Sequence, residues 1–258
     1  MKKYITVAAL LAAGTAFANA ALTDGLQWAE SFDDSGLEKD ATFTFNNAFH
    51  VENGVGIAAS AYADSRIWTT NLSGGNFTNA FTFSFKLVDL DAADWTDALS
   101  LYSNGITFGE SNCIQLQKNA NGNLMAYTSN FTGSNVSGDD SNFSMGAVSD
   151  LKGKTLTLVF SGNTLTGYVN GAAITDTVNF TYAENVTPST ALTGFQFGAA
   201  FGGSRVSNSL TVDNIAVWNR ALSAEEVAQV AAIPEPSAFG LLAGLGALAL
   251  VGTRRRRK

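Results

Sequence analysis

Short runs of alternating apolar and polar residues dominate the chain between residues 21 and 233. The clearest run spans 81–87, and its apolar members are Phe81, Phe83, Phe85 and Leu87. Successive side chains of a strand point to opposite sides, so these four residues share one face. The same alternation recurs at 43–45, 156–160 and 195–197. Thr occupies several alternate positions, which predicts an outer surface that is pleated and half-buried.

Turn signals join these runs into hairpins. Residues 119–122 (Asn-Ala-Asn-Gly) separate two runs, and the Asn-Gly pair supplies the positive φ that a tight turn needs. Residues 161–163 (Ser-Gly-Asn) separate another two runs, and Asn170-Gly171 predicts a further tight turn soon after. Many short strands connected in this way predict two antiparallel sheets packed face to face.

One helix is predicted near the end of this region. Ser223 precedes Glu226 by three residues, which is the spacing of a capping box. A helix over 224–231 would place Val227 and Val230 on its inner face.

The first twenty residues have the pattern of a secretory signal peptide. Lys2 and Lys3 precede an apolar run that ends in the small residues Ala18-Asn19-Ala20. We therefore predict that signal peptidase cuts between Ala20 and Ala21. An N-terminal membrane anchor is the alternative, although the apolar run is too short to span a bilayer.

Three segments follow one another at the C terminus. Pro234, Glu235 and Pro236 come first, then an uncharged apolar stretch at 237–253, and then a basic tail at 254–258. A helix over the apolar stretch would rise roughly 25 Å, slightly less than the ~30 Å hydrocarbon core of a bilayer. The positive-inside rule would keep the basic tail in the cytoplasm and the preceding region outside it.

This three-part end resembles the PEP-CTERM sorting signal of bacteria with outer membranes. The resemblance covers 233–258 and implies that an exosortase, a membrane-bound processing enzyme, cuts near Pro-Glu-Pro. It also implies a place in the cell envelope or the extracellular exopolysaccharide matrix. A plain C-terminal membrane anchor is the alternative, and it leaves the region 21–232 outside the cytoplasm as well.

Charge is distributed unevenly along the chain. The formal net charge is −7, but region 21–233 holds eight basic and 21 acidic side chains, a net charge of −13. Such a region repels nucleic acid and anionic membrane surfaces. Neutral glycans, exopolysaccharide or cations are the partners that this charge permits. One His and one Cys exclude a multi-histidine metal site and a disulfide framework.

The passage 210–227 resembles the closing signature of LamG-like, concanavalin A-like jelly-roll domains. It contains Asp-Asn-Ile-Ala-Val-Trp and then Arg-Ala-Leu-Ser-Ala-Glu-Glu. The strand at 81–85 and the hairpin at 153–171 resemble the same family. The resemblance implies an all-β, concanavalin A-like jelly-roll sandwich over 21–232. In that sandwich, Ile215 and Val217 would face inward and Trp218 would close its edge.

The same resemblance implies a candidate metal ligand. In many family members, the aspartate that matches Asp213 contributes to a structural calcium site. We expect Asp213 to begin the last strand. The alternative is that Asp213 caps the loop before this strand, with Asn214 in the turn.

Two tryptophans are the candidate glycan contacts. Trp68 and Trp95 lie in polar, loop-like surroundings, whereas Trp28 and Trp218 lie in strands and are predicted to be core residues. Sugar binding uses an exposed aromatic ring beside amide and carboxylate groups.

The last constellation is a run of three acids, Asp89, Asp91 and Asp94. Its spacing resembles the Glu-x-Asp-x-x-Glu of related glycoside hydrolases, but Asp replaces Glu at both catalytic positions.

We therefore predict a non-enzymatic, exported protein that recognises carbohydrate or matrix. A polysaccharide-cleaving enzyme and a structural surface-layer component are the alternatives.

Overall fold

The computed structural model describes residues 22–32, 44–45, 49–59, 67–69, 80–103, 113–129, 142–162, 164–179, 192–198 and 209–233. Its strands are β1 (Leu26–Glu30), β2 (Thr44–Phe45), β3 (Phe49–Glu52), β4 (Val55–Ala59), β5 (Ile67–Thr69), β6 (Ala80–Asp91), β7 (Asp97–Ser103), β8 (Cys113–Lys118), β9 (Asn123–Ser129), β10 (Asn142–Ala147), β11 (Lys154–Ser161), β12 (Thr164–Val169), β13 (Ala172–Asn179), β14 (Leu192–Phe197) and β15 (Ser209–Trp218). Two helices, α1 (Val148–Leu151) and α2 (Ala224–Ala231), accompany them.

These strands form two antiparallel sheets. The eight-stranded sheet has the order β13-β12-β11-β6-β15-β4-β3, and β1 also pairs with β15. The seven-stranded sheet has the order β10-β9-β8-β7-β14-β5-β2. The hairpins β8–β9, β11–β12 and β12–β13 are the ones that the turn residues predict. The fold thus confirms the predicted all-β sandwich of jelly-roll type.

The main core lies between the two sheets. The four residues of the 81–87 run are at most 1% exposed and face this core, as the alternation predicts. Phe83 meets Phe195 edge-on with a centroid distance of 5.1 Å, and Phe85 meets Phe197 at the same distance. Each such edge-to-face pair contributes about 0.5–1.5 kcal/mol beyond the burial of its area.

A second hydrophobic cluster covers the outer face of the eight-stranded sheet, and we call it the outer cluster. It joins the N-terminal segment, β15 and α2, and its members include Leu22, Leu26, Trp218, Leu222, Val227 and Val230. Because of this cover, Thr82 and Thr157 are fully buried rather than half-buried as predicted. Thr82 Oγ1 donates to the Arg220 carbonyl (2.9 Å) and accepts from the Leu222 N–H (2.9 Å), which satisfies the buried hydroxyl.

Two expectations about the last strand are corrected. Trp218 lies in the outer cluster, not at the edge of the sandwich, while Ile215 and Val217 do face the main core. Asp213 lies inside β15 rather than at its start. The strand continues through this point because Asn214 adopts a left-handed φ of 49° at a β-bulge between Asp213 and Ala216.

The predicted helix and its cap are confirmed. The Ser223 hydroxyl accepts from the Glu226 N–H, and the Glu226 carboxylate accepts from the Ser223 N–H, so the capping box is complete. Arg220 strengthens this corner, because its guanidinium donates two hydrogen bonds to Glu226 at 2.7 and 2.8 Å.

Both hydrophobic clusters consist of residues between Leu22 and Ile233. Region 21–233, which is expected to remain after both ends are removed, therefore contains both of these clusters. In the described part of the chain, no helix has the length and hydropathy needed to cross a bilayer. The predicted signal peptide (1–20) and the predicted membrane helix at 237–253 lie outside the described residues.

Candidate functional site

Polar residues of β7 and β8 lie on the outer face of the seven-stranded sheet, opposite the core residues of these two strands. Leu99 and Leu101 of β7 face the main core together with Ile114 and Leu116 of β8. Strand alternation places the residues between them on the opposite, outer face. The outer face is thus the part of this sheet where amides, hydroxyls and a carboxylate collect.

Strand register aligns these polar residues in one cross-strand row, which we call the polar row. Directly paired residues on neighbouring strands share a face and lie about 4.5–5.5 Å apart at their Cβ atoms. From β10 to β14 the row is Asn142, Tyr127, Gln115, Ser100 and Gln196. Ser100 and Gln196 are buried, whereas Asn142, Tyr127 and Gln115 are only half-buried. The accessible part of the row therefore lies on β8, β9 and β10.

A buried carboxylate lies directly beside the polar row. Asp97 is fully buried. Its Oδ1 accepts from Gln117 Nε2 (2.8 Å), and its Oδ2 accepts from Gln115 Nε2 (3.0 Å). A buried carboxylate is stable only with such donors, and the same bonds fix the orientation of both glutamine amides. Asp97 thus positions Gln115 within the polar row.

The same network reaches an exposed tryptophan. Trp95 is 53% exposed and lies in the loop between β6 and β7, as predicted. Gln117 Nε2 donates to the Trp95 carbonyl (3.3 Å) as well as to Asp97. The loop that carries the exposed Trp95 ring is therefore attached, through the Trp95 carbonyl, to the buried Gln117 and Asp97.

The backbone of Trp95 is held in an unfavourable conformation. Its φ is +64°, in the left-handed region that costs non-glycine residues roughly 1–2 kcal/mol. The Trp95 N–H donates to the Lys118 carbonyl (2.7 Å), and the Lys118 N–H donates to the Thr96 carbonyl (3.1 Å). The end of β8 therefore fixes this loop. Backbone strain of this kind occurs often at functional sites.

Trp68, the second candidate glycan contact, lies in a strand rather than in a loop. It belongs to β5, where it pairs with Gln196 in the register of the seven-stranded sheet. Its β-branched neighbours Ile67 and Thr69 favour the extended conformation. The strand register therefore places Trp68 next to Gln196, one strand beyond the polar row. The structure does not describe the Trp68 side chain.

In the hydrolase-like run, Asp89 and Asp94 each pair with a lysine, and Asp91 is exposed at the end of β6. Asp89 is on β6 and forms an ion pair with Lys152 (2.5 Å), and this hydrogen bond lowers the pKa of Asp89 below 3.8. Asp94 is in the loop before β7 and pairs with Lys118 (2.6 Å). A carboxyl group with a lowered pKa is ionised at neutral pH, so Asp89 is poorly suited to act as a general acid.

The surroundings of Asp213, the candidate calcium ligand, are partly described. Its Oδ1 accepts from the Asn214 N–H (2.8 Å), and its cross-strand partner is Lys86, a cation. Within the described ranges, no group of three or more His, Cys, Asp or Glu side chains could hold a metal ion. Ca²⁺ takes six to eight oxygen ligands, so a site at Asp213 would need backbone carbonyls and water in addition to this carboxylate. Calcium at Asp213 stays a prediction.

Sequence reasoning missed Asp97, Gln115 and Gln117. The signal that could have found them is the alternation Ile114-Gln115-Leu116-Gln117, which places two amides on the face opposite two core residues. The predicted processing residues lie outside the described structure, and they are Ala20, Ala21, Pro234, Glu235 and Pro236.

The C-terminal sorting signal is confirmed by comparison with known families. Residues 232–257 match the PEP-CTERM protein-sorting motif. This motif indicates export and sorting to the cell surface. Comparison with curated proteins found no match in sequence.

Solved structures with the same architecture include several binding domains. The chain resembles the binding domain of Paraclostridial Mosquitocidal Protein 1 with a TM-score of 0.56 and 16% identity, over 81% of this chain and 52% of that one. It resembles Trypanosoma rangeli sialidase with a TM-score of 0.53 and 15% identity, over 81% and 33% of the two chains.

A third similar structure is that of botulinum neurotoxin type C, described as dependent on two ganglioside molecules to enter cells. Its TM-score is 0.56 at 12% identity, over 84% of this chain and 53% of that one. The chain thus spans about half of the toxin chains and a third of the sialidase. At these identities the likeness establishes the fold alone.

Proposed function

We propose that the protein is an exported, envelope-associated domain that recognises a neutral glycan or matrix polysaccharide without cleaving it. The observation that carries this proposal is the connected group of Trp95, Gln117, Asp97 and Gln115, which joins the polar row at its central residue, Gln115. It combines an exposed aromatic ring with amides in fixed orientations.

Each part of this group has a role in sugar binding. The Trp95 ring stacks on the apolar face of a sugar ring, and its burial on binding supplies most of the affinity. Asp97 holds Gln115 through Nε2, which orients the Gln115 Oε1 to accept from a sugar hydroxyl. Tyr127 and Asn142 extend the half-buried row with further donors and acceptors. Because their positions are set by strand register, little ordering entropy is lost on binding.

Charge favours a neutral ligand. Region 21–233 has a net charge of −13, which repels acidic polysaccharides at low ionic strength. The similar toxin structures support recognition as a role for this fold, since two of them are described as binding domains. The sorting motif supports a place at the cell surface or in the matrix, where polysaccharide is abundant.

The order of processing follows from the two ends of the chain. Signal peptidase would cut before Ala21, and the helix at 237–253 would hold the exported chain in the inner membrane. An exosortase would then cut near Pro234–Pro236 and release region 21–233 outward.

A glycan array tests the proposal. The 21–233 fragment, which contains both described cores, is applied to neutral and acidic polysaccharides with and without Ca²⁺. We expect retention by at least one neutral glycan, insensitive to salt between 50 and 500 mM. Failure to retain any glycan under either condition would sink the proposal.

A polysaccharide-cleaving enzyme is the second candidate, favoured by the likeness to a sialidase. Such an enzyme would release reducing ends from a polysaccharide panel, and Asp89→Asn or Asp94→Asn would abolish the release. A surface-layer component, the third candidate, would instead self-associate, which sedimentation of the same fragment detects.

A further inference from the structure

Both ends of the described domain lie on the same face of the sandwich. Leu22, the first described residue, is a member of the outer cluster, and Ile233, the last, packs against this cluster. The outer cluster covers the outer face of the eight-stranded sheet. The polar row lies on the outer face of the other sheet, so the thickness of the sandwich separates the polar row from both ends.

The C-terminal end is held on this face by the last turn of α2. The Ala232 N–H donates to the Ala228 carbonyl (3.1 Å), and the Ile233 N–H donates to the Val230 carbonyl (3.3 Å). Val230 is itself a buried member of the outer cluster. The point at which the chain leaves the folded domain is therefore fixed at Ile233.

The segment that would connect this point to a membrane is short. Three residues, 234–236, separate Ile233 from the apolar stretch at 237–253. Four steps between Cα atoms span at most about 14 Å. The headgroup region on one side of a bilayer is roughly 6 Å thick, so about 8 Å of this tether remains outside the bilayer when the apolar stretch spans it.

The sandwich is thicker than this tether is long. Its two sheets lie about 10 Å apart, and a helix packed on one of them adds roughly another 10 Å. If the polar row faced the bilayer, Ile233 would stand at least ~20 Å above the bilayer surface, which the tether cannot reach. The short tether thus excludes this inverted orientation.

We propose that, in the membrane-anchored chain, the surface of α2 faces the lipid bilayer and the polar row faces away from it. The exposed residues Ala228, Gln229 and Ala232 belong to this membrane-proximal surface. The inference rests on the anchoring step of the proposed function and goes beyond it, because it gives the anchored domain an orientation.

Charge separates this orientation from adsorption on lipid. Glu225 and Asp24, two exposed residues on the same side of the sandwich, are acidic, and region 21–233 has a net charge of −13. Anionic lipids attract clustered Lys and Arg, not acidic surfaces. The tether, rather than attraction to lipid headgroups, therefore holds the α2 surface near the bilayer.

This orientation has a consequence for polysaccharide binding. The polar row would be open to the surrounding matrix while the chain is still anchored. Binding of polysaccharide would therefore not need prior release of the domain from the membrane.

Paramagnetic relaxation of backbone amides tests the orientation without any substitution. The full-length chain, labelled with ²H and ¹⁵N, is reconstituted in phosphatidylcholine nanodiscs that contain a gadolinium-chelating lipid. Relaxation by such a lipid layer falls steeply with distance, so a separation of ~20 Å should relax the amides of Ala228 and Gln229 about tenfold or more faster than those of Gln115 and Tyr127. Equal relaxation of the two pairs, or faster relaxation of Gln115 and Tyr127, overturns the proposal.

Two controls test whether the tether is the cause. Insertion of about 12 Gly and Ser residues between Ile233 and Pro234 makes the tether longer than the sandwich is thick, and the difference between the two pairs should fall below about threefold. A difference that persists in full overturns the proposal. The 21–233 fragment, added to the same nanodiscs, should show no enhancement at these four amides. Enhancement at α2 in this fragment would show adsorption and would overturn the tether as the cause.

The same experiment separates failure of the orientation from failure of the anchoring step. A full-length chain that does not co-purify with nanodiscs contradicts the anchoring step of the proposed function and, with it, this inference. A chain that co-purifies but relaxes equally at both pairs contradicts the orientation alone.

Discussion

The indole Nε1 of Trp218 donates a buried hydrogen bond of 2.7 Å to the backbone carbonyl of Leu22, from which it is separated by 196 positions in sequence. Trp218 ends β15 and is completely buried, and Leu22 is 1% exposed. The bond attaches the N-terminal segment to the last strand beneath α2. Because Leu22 lies close to the expected signal-peptidase site, this contact fixes the start of the processed domain.

Replacing Trp218 with Phe tests the importance of this attachment. The variant leaves the buried Leu22 carbonyl without its donor and reduces the volume of a fully buried ring. We expect the free energy of unfolding to fall by about 2–4 kcal/mol. Urea unfolding of the 21–233 fragment measures the change. Trp95→Phe, at an exposed position, should change it by less than ~0.5 kcal/mol, and equal losses in the two variants would contradict the interpretation.

A glycine in β12, Gly167, leaves no room for a side chain. A Cβ atom at Gly167 would lie 2.7 Å from both Met145 Sδ and Phe143 Cε2, side chains of β10 in the opposite sheet. Gly167→Ala should therefore overpack the core and lower the free energy of unfolding by about 1–3 kcal/mol, as measured by thermal unfolding.

The double variant Gly167→Ala/Met145→Ala distinguishes overpacking from an effect on the backbone. Removal of the Met145 side chain relieves one of the three close contacts of the new methyl group, those with Met145, Phe143 and Ile174, so the double variant should lose less stability than the sum of the two single variants. Strict additivity would show that the contact with Met145 is not a reason for this glycine.

The strands of the main core could be predicted because their signals are local. Phe81, Phe83 and Phe85 show the period of two, and Asn170-Gly171 gives the turn type, without reference to any distant residue. The burial of Thr82 and Thr157 could not be predicted in this way. Their cover comes from residues near 22 and from 218–230, and periodicity identifies the faces of a strand but not the elements that pack on them.

The candidate site was predictable only in part for a similar reason. The polar, loop-like surroundings of Trp95 indicate an exposed ring, and the structure confirms this. The contact of Asp97 with Gln117 depends on the register of β7 and β8, which includes an irregularity between Asp97 and Leu99. The position of Asp213 inside β15 depends likewise on the bulge at Asn214. Bulges shift the register by one residue, and sequence alternation alone does not locate them.

The ion pair of Arg220 and Glu226 predicts how stability depends on pH. Hydrogen bonds from Arg220 hold the pKa of Glu226 below its ordinary value of 4.5. A carboxyl group whose pKa is lower in the folded state stabilises the fold above its unfolded pKa and loses that contribution as pH falls through the folded value. Glu226→Gln should therefore cost about 1 kcal/mol at pH 7 in urea unfolding. The difference from wild type should shrink below pH 4.5.

Glu225 provides a control for loss of the Arg220 ion pair, and its own pKa is lowered instead by hydrogen bonds from its backbone N–H and from Ser223. It is the neighbouring acid in the first turn of α2 and is fully exposed, and no described residue forms an ion pair with it. Glu225→Gln should change stability much less than Glu226→Gln at pH 7. A difference for Glu226→Gln that stays constant from pH 7 to pH 3 would show that the ion pair does not contribute.

Because the backbone of Trp95 is strained, a substitution at this position can weaken glycan binding without lowering the stability of the fold. Asn tolerates a left-handed φ better than Trp does, so Trp95→Asn should leave the free energy of unfolding unchanged or raise it slightly. The same change removes the exposed ring, and we expect it to weaken binding of any glycan that the array identifies by at least tenfold, about 1.4 kcal/mol.

Gln115→Ala should weaken binding as well, because its amide lies in the accessible part of the polar row. Val51→Ala, at an exposed position on β3 of the other sheet, should bind like the wild type. Isothermal titration calorimetry of the four proteins measures both the affinity and the stoichiometry. Unchanged affinity in Trp95→Asn and Gln115→Ala would place the glycan elsewhere on the molecule.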